Sequence, residues 1–172
     1  MIKCSYHKKF DRPYGAFHDK EDTPMSIAAR RLQSSVSGSS DPRLYLSPAS
    51  GSYSNGSTLV VIIMANSYTE AVNAVQANLT YPTSRMTFVS IDTSHSNFTT
   101  TIQSTGGSGS VQVGVGVLAS SLTGAQEVAR VTFTLTSTGS AAVAFAAGSG
   151  IARASDATDV CKKTTGATYT IT

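Results

Sequence analysis

The stretch "AVNAVQANLTYP", Ala71 to Pro82, alternates through its second half: Val75, Ala77, Leu79 and Tyr81 point one way, Gln76, Asn78 and Thr80 the other. Successive side chains of an extended chain lie on opposite faces, so this spacing predicts a half-buried strand with a polar outer surface. The pattern returns downstream. In "VQVGVGVL" Val111, Val113, Val115 and Val117 share one face, with Gln112, Gly114 and Gly116 opposite. In "EVARVTFTLTS" Val131, Phe133 and Leu135 alternate with Thr132, Thr134 and Thr136.

Working outward, "RLYLS", "TLVVIIMAN", "RMTFVSID", "FTTTIQS", "AAVAFAA" and "TYTIT" read as further strands. Between them stand turn signals: "PASGSYSNGS" with its Asn55-Gly56, Pro82-Thr83-Ser84, and the tip "TGGSGS". The nearly continuous apolar run of "TLVVIIMAN" predicts a central strand covered on both sides. No helix of two turns is evident from Arg43 onward, which argues against a βαβ nucleotide-binding fold. The fold class is therefore all-β, a sandwich of about nine strands of jelly-roll or immunoglobulin-like type over residues 43–172. Its two inner faces should carry Val61, Ile63, Leu79, Tyr81, Val113, Val115, Val131, Phe133, Leu135 and Phe145.

Composition agrees. Only 13% of the 172 residues are charged and there is no Trp, which suits Thr- and Ser-faced strands better than a helical enzyme. The formal net charge of +3 lies wholly in residues 1–43, which hold eight Lys and Arg against five acids. Residues 1–42 show neither the helical nor the strand period and end in the tract "SSVSGSSDP". They read as a basic, extended docking arm and Ser/Gly linker, with Lys8, Lys9, Arg12, Arg30 and Arg31 as its contact residues and a short helix in "MSIAARRLQSS". Interspersed acids weaken its local potential, so nucleic acid is not the expected partner. No run approaches 18 apolar residues, so no membrane span is expected. "MIKCSYHKKF" lacks the apolar segment of a secretory signal, and a start at Met25 would not create one.

Here a family resemblance is visible. From about Leu44 to Ile171 the chain resembles a cohesin-type domain, the nine-stranded jelly roll of cellulosome scaffoldins and bacterial surface proteins. The residues that carry it are "LYLSPASGSYSNGSTLVV", "AVNAVQANLTYP", "FVSID", "SVQVGVGV", "EVARVTFTLTSTG" and "VAFAAGSGIARASDATD". Tyr81-Pro82 stands where that family usually carries Tyr-Asp. The resemblance implies an extracellular or surface-displayed module that binds a dockerin domain through one sheet face.

Candidate chemistry is sparse. Asp92, His95 and a nearby serine can be written as a triad, but no GxSxG elbow exposes a nucleophile, so no catalytic residue is assigned. "GVGVLA", Gly114 to Ala119, matches a dinucleotide fingerprint only formally, because the valines alternate straight through it as in a strand. Asp156 and Asp159 in "ASDATD" offer two carboxylates for a weak Ca²⁺ site, with a solvated loop as the simpler reading. Cys4 and Cys161 lie at opposite ends of the chain, as two unrelated thiols or as a clip between arm and body. Sequons begin at Asn55, Asn78 and Asn97. No cofactor is implied. A body resembling surface domains, in a chain without an export address, leads to a non-enzymatic structural module, above all a virion decoration or head-fibre protein docked on a capsid subunit through its arm, with a symmetric homo-oligomer as a compatible assembly. The second reading is a recognition module that takes a dockerin-like domain or a glycan on one sheet face.

Overall fold

Each alternating segment becomes a strand with its apolar row turned inward. The computed structural model describes residues 40–172, which form β1 (Arg43–Ser47), β2 (Ser50–Tyr53), β3 (Thr58–Asn66), β4 (Val72–Thr80), β5 (Met86–Asp92) and β6 (Thr100–Gly107). They continue with β7 (Ser110–Gly116), β8 (Ala125–Leu135), β9 (Gly139–Phe145), β10 (Gly150–Arg153), β11 (Lys163–Thr165) and β12 (Ala167–Ile171). There is no helix among the described residues.

The strands make two sheets. The smaller runs β11-β1-β3-β8-β5; the larger runs β2-β12-β9-β4-β7-β6, with β10 alongside β4. The chain passes from one sheet to the other nine times, by the order in which the strands fall. All pairings are antiparallel except β1 with β11 and β2 with β12.

The core lies between the sheets. From the smaller sheet come Leu44, Leu46, Leu59, Val61, Ile63, Val131, Phe133 and Leu135; from the larger come Val75, Ala77, Leu79, Val111, Val113, Val115, Val143, Tyr169 and Ile171, all buried. Tyr81, just beyond β4, is buried too, with its ring 5.0 Å from that of Phe133, which also meets Phe88 edge-on at 6.5 Å. Such ring pairs add about 0.5–1.5 kcal/mol beyond their area. The Tyr169 hydroxyl donates to the Pro48 carbonyl at 2.7 Å, so its polar tip is satisfied, and burial pushes the phenol well above its ordinary pKa.

Three expectations need correction. The described residues hold twelve strands, not nine, because β2, β10 and β11 are only four, four and three residues long and lack a visible period. Residues 50–53, read as turn, pair in parallel with β12 from Thr168↔Ser50 to Ile171↔Tyr53. Gly51 permits this, since a Cβ there would come within 2.6 Å of the Tyr53 ring folded over it. The apolar run of β3 is covered on one side only: Leu59, Val61, Ile63 and Ala65 are buried, whereas Val60 is 42% exposed and Ile62 and Met64 are half-buried. Phe145 sits half-buried at the margin of the core, at the last residue of β9 opposite Leu79.

Candidate functional site

The outer face of the larger sheet is built from small and amide side chains. Outward positions are Ala74, Gln76, Asn78 and Thr80 on β4, Ser110, Gln112, Gly114 and Gly116 on β7, and Ser140, Ala142 and Ala144 on β9. None is charged. Strand β7 runs between β4 and β6, and both Gln76 and Gln103 stand opposite Gly114. The absent side chain lets the two amides meet across β7: Gln76 Nε2 donates to Gln103 Oε1 at 3.0 Å and to Asn78 Oδ1 at 2.8 Å. Gln103 Nε2 donates onward to Gln112 Oε1 at 2.8 Å. A Cβ on Gly114 would lie 2.7 Å from Gln76 Oε1, so glycine is what keeps this network closed over the strand.

Beside the network is a cavity of about 400 Å³, with Ala74, Gln76, Ile102, Gly114, Ala152 and Asp159 in its wall. Three glycines, Gly114, Gly148 and Gly150, also line it. Ile102 sits at a bulge in β6, between Thr101 and Gln103, which turns it over Gly116 and leaves it 69% exposed. Bulges commonly re-aim one side chain in this way. On the opposite wall Ser149 clamps the turn after β9: its Oγ accepts from the Asn78 N–H at 3.0 Å and shares its one proton between the carbonyl oxygens of Ala146, at 2.8 Å, and Asn78, at 3.1 Å. Asp159 is the one charged residue in the wall; its Oδ1 accepts from the N–H groups of Ile151 and Cys161, and its Oδ2 faces Gly150.

No family model matches the chain, and no curated protein matches it. Solved structures do. The chain is similar to the seventh ScaB type I cohesin of Pseudobacteroides cellulosolvens, at 12% identity and a TM-score of 0.64, with 77% of this chain and 92% of that one covered. It is similar also to a non-cellulosomal cohesin of the archaeon Archaeoglobus fulgidus, at 17% identity and TM-score 0.60 over 77% and 91% of the two chains. A third is the third ScaB cohesin of R. flavefaciens, solved in complex with a group 1 dockerin, at 14% identity and TM-score 0.62 over 77% and 95%. The fold is that of a cohesin module.

In this cohesin-type sandwich the other sequence candidates fall elsewhere. Asp92 Oδ2 and Ser94 Oγ approach the same ring nitrogen of His95, Nδ1, at 3.3 and 3.1 Å. A triad needs its carboxylate and nucleophile on opposite nitrogens, so this cluster is a capped turn. Its Asp92 carboxyl is held below the ordinary value, first by the Ser94 N–H and hydroxyl and then by His95. Gly114 to Gly116 lies within strand β7 and opens no helix. Asp156 accepts from the Thr158 N–H and from Arg153, and Asp159 is committed as described. No group of three or more His, Cys, Asp or Glu side chains converges among the described residues. Cys161 is half-buried, donates to the Lys163 carbonyl at 3.4 Å, and has its thiol pushed up by burial. Asn78 spends its side-chain N–H on the Ala147 carbonyl, while Asn55 stands exposed in its turn. Cys4 and the arm residues Lys8, Lys9, Arg12, Arg30 and Arg31 lie outside the described residues.

Sequence reading placed Gly114 and Gly116 in a strand, opposite the valine row, but passed over Ile102, Gln103 and Ser149. The available signal was a pair of outward glycines flanked, in neighbouring strands, by glutamines at matching depth.

Proposed function

We propose that the chain is a non-enzymatic recognition module that receives a folded, dockerin-like protein domain on the outer face of its larger sheet. The observation that carries this reading is the cavity beside Gly114, overhung by the exposed Ile102, with Asp159 as the one charged residue in its wall. Exposed apolar side chains beside a concavity are the usual anchors of protein interfaces. A solved module of the same fold holds a dockerin, which supports the partner class. A glycan is less well served, since the outward positions of β4, β7 and β9 hold no aromatic ring on which a sugar would stack. The virion decoration reading rests on the arm, which lies outside the described residues, and gains nothing from this face.

The test is calorimetric titration of the full chain with a panel of dockerin domains. Ile102→Lys should weaken binding by about tenfold or more, with Val60→Lys on the other sheet as control. Binding that survives Ile102→Lys and is lost in Val60→Lys would move the function to the smaller sheet.

A further inference from the structure

The sandwich has four terminal sheet edges, and three of them are blunted. β2 has four residues, directly after Pro48-Ala49. β11 has three and opens with Lys163, after Lys162. β5 is broken by a bulge between Phe88 and Ser90, ends on Asp92 and is preceded by Arg85. These are the ordinary devices that keep an edge from pairing with another chain: shortness, charge, proline and irregularity.

Strand β6 lacks most of them. It is eight residues long, "TTIQSTGG", with no Lys, Arg, Asp, Glu or Pro, and it terminates the larger sheet. Its ladder to β7 runs from Thr100↔Gly116 to Gly107↔Ser110. No backbone hydrogen bond beyond that ladder reaches Thr100 to Gly106 among the described residues. In an antiparallel ladder, alternate residues turn N–H and C=O away from the partner strand, so β6 presents a row of unpaired groups. Thr101, Ile102, Ser104, Thr105 and Gly106 are all exposed. The single bulge at Ile102 leaves Gln103 to Gly107 regular.

We propose that β6 is a self-association edge, at which two copies of the chain pair antiparallel, β6 against β6, to join their larger sheets into one. A second copy is the fitting occupant because a neutral Thr/Ser/Gln strand meets its own reversed sequence without like-charge conflict, and the closed two-fold pairing stops at two. The pairing carries a geometric consequence. A two-fold axis that makes adjacent strands antiparallel stands perpendicular to the sheet, so both copies turn the same outer face to the same side. The two Gly114 cavities then face one direction, as a bivalent surface. The inference stands whether or not that face binds a dockerin-like domain, because its readout is the mass of the chain alone.

The experiment is sedimentation equilibrium of the full chain over about a hundredfold range of concentration, where mass action should populate the dimer. It is paired with hydrogen exchange of the Thr100–Gly106 amides at both ends of the range. Ser104→Lys/Thr105→Lys places two exposed cations on the edge, at side chains that make no hydrogen bond among the described residues. The expected result is a dimer that forms with concentration, slows exchange at alternate β6 amides, and dissociates at least about tenfold more readily in the double variant, whose melting curve confirms that it is folded. Val60→Lys should leave the dimer intact. A chain that stays monomeric throughout, a dimer without slowed exchange in β6, or slowed exchange that appears only when a dockerin domain is added to a monomer would each overturn the proposal.

Discussion

The two outer faces of the sandwich are made from the same alternation and end as opposite surfaces. On the smaller sheet several outward positions carry large side chains, Tyr45 on β1, Val60, Ile62 and Met64 on β3, and Arg130 on β8, which pairs with Glu127 at 2.7 Å, beside the outward Thr132 and Thr134. The Arg43 guanidinium lies 5.5 Å from the ring of Tyr45 and 5.8 Å from that of Tyr68. Aliphatic stems and rings there cover one another, so the half-buried Ile62 and Met64 are already packed. On the larger sheet the outward positions of β7 and β9 are mostly glycine, alanine and serine, with Gly114 and Gly116 buried against Gln76, Gln103 and Ile102, and relief comes from one cavity and one isoleucine. A face covered by its own side chains offers a partner little to fill; a face of small residues lets a partner supply the missing volume.

The largest effect should appear where the two faces share support. Phe133 is fully buried between them, against Tyr81 and Phe88, and Phe133→Ala should lower unfolding stability by about 3–5 kcal/mol through lost transfer energy and the cavity left behind. Chemical denaturation measures it, and a loss below about 1 kcal/mol would mean that the sheets do not pack through this ring. Next is the asymmetry itself. Gly114→Val drives a side chain into Gln76 Oε1 and against Gln103, and should cost about 1–3 kcal/mol as overpacking does. Thr132→Val at an outward, half-buried position of β8 should change stability by less than about 0.5 kcal/mol. Equal effects at the two positions would erase the distinction between a fitted and a tolerant face.

Much of this contrast was legible in particular residues. Val131, Phe133 and Leu135 against Thr132 and Thr134 assign the faces of β8 without any tertiary knowledge, because period two is a property of the strand alone. The breadth of the core followed from the same rule. What stayed hidden was non-local. The parallel pairs β1 with β11 and β2 with β12 join segments far apart in sequence, and three- or four-residue strands hold too few positions to show a period. The run "TLVVIIMAN" misled for a related reason: apolar residues on both sides of a strand suggest two covered faces, yet on the outer side Ile62, opposite Arg130, is only half-buried and Val60, opposite Thr132, stays exposed. The cavity was least legible, since it depends on a bulge at Ile102 and on the Ser149 clamp, which arise only when β6, β4 and the turn after β9 are brought together.

The smallest effect concerns the loop that follows β5, at the rim of the smaller sheet. Asp92 accepts from the Ser94 N–H at 2.8 Å and faces His95, and its carboxyl is held below the ordinary value of 3.8 by the Ser94 hydrogen bonds first and by His95 after them. A carboxyl whose folded pKa is depressed binds fewer protons in the folded state than in the unfolded chain. Its stabilisation is complete above pH 3.8 and disappears as pH falls through the lower folded value. Asp156, lowered chiefly by the Thr158 N–H, works in the same direction in the turn after β10. Asp92→Asn should therefore lower the melting temperature slightly at pH 7, where that stabilisation is complete, and flatten its decline below pH 4, and Asp156→Asn should do the same independently. Thermal melts across that acid range decide it: a decline as steep in the double variant as in the parent chain would assign the acid sensitivity to other carboxylates, and a double variant flatter than either single one would show two separate caps, one on each face of the sandwich.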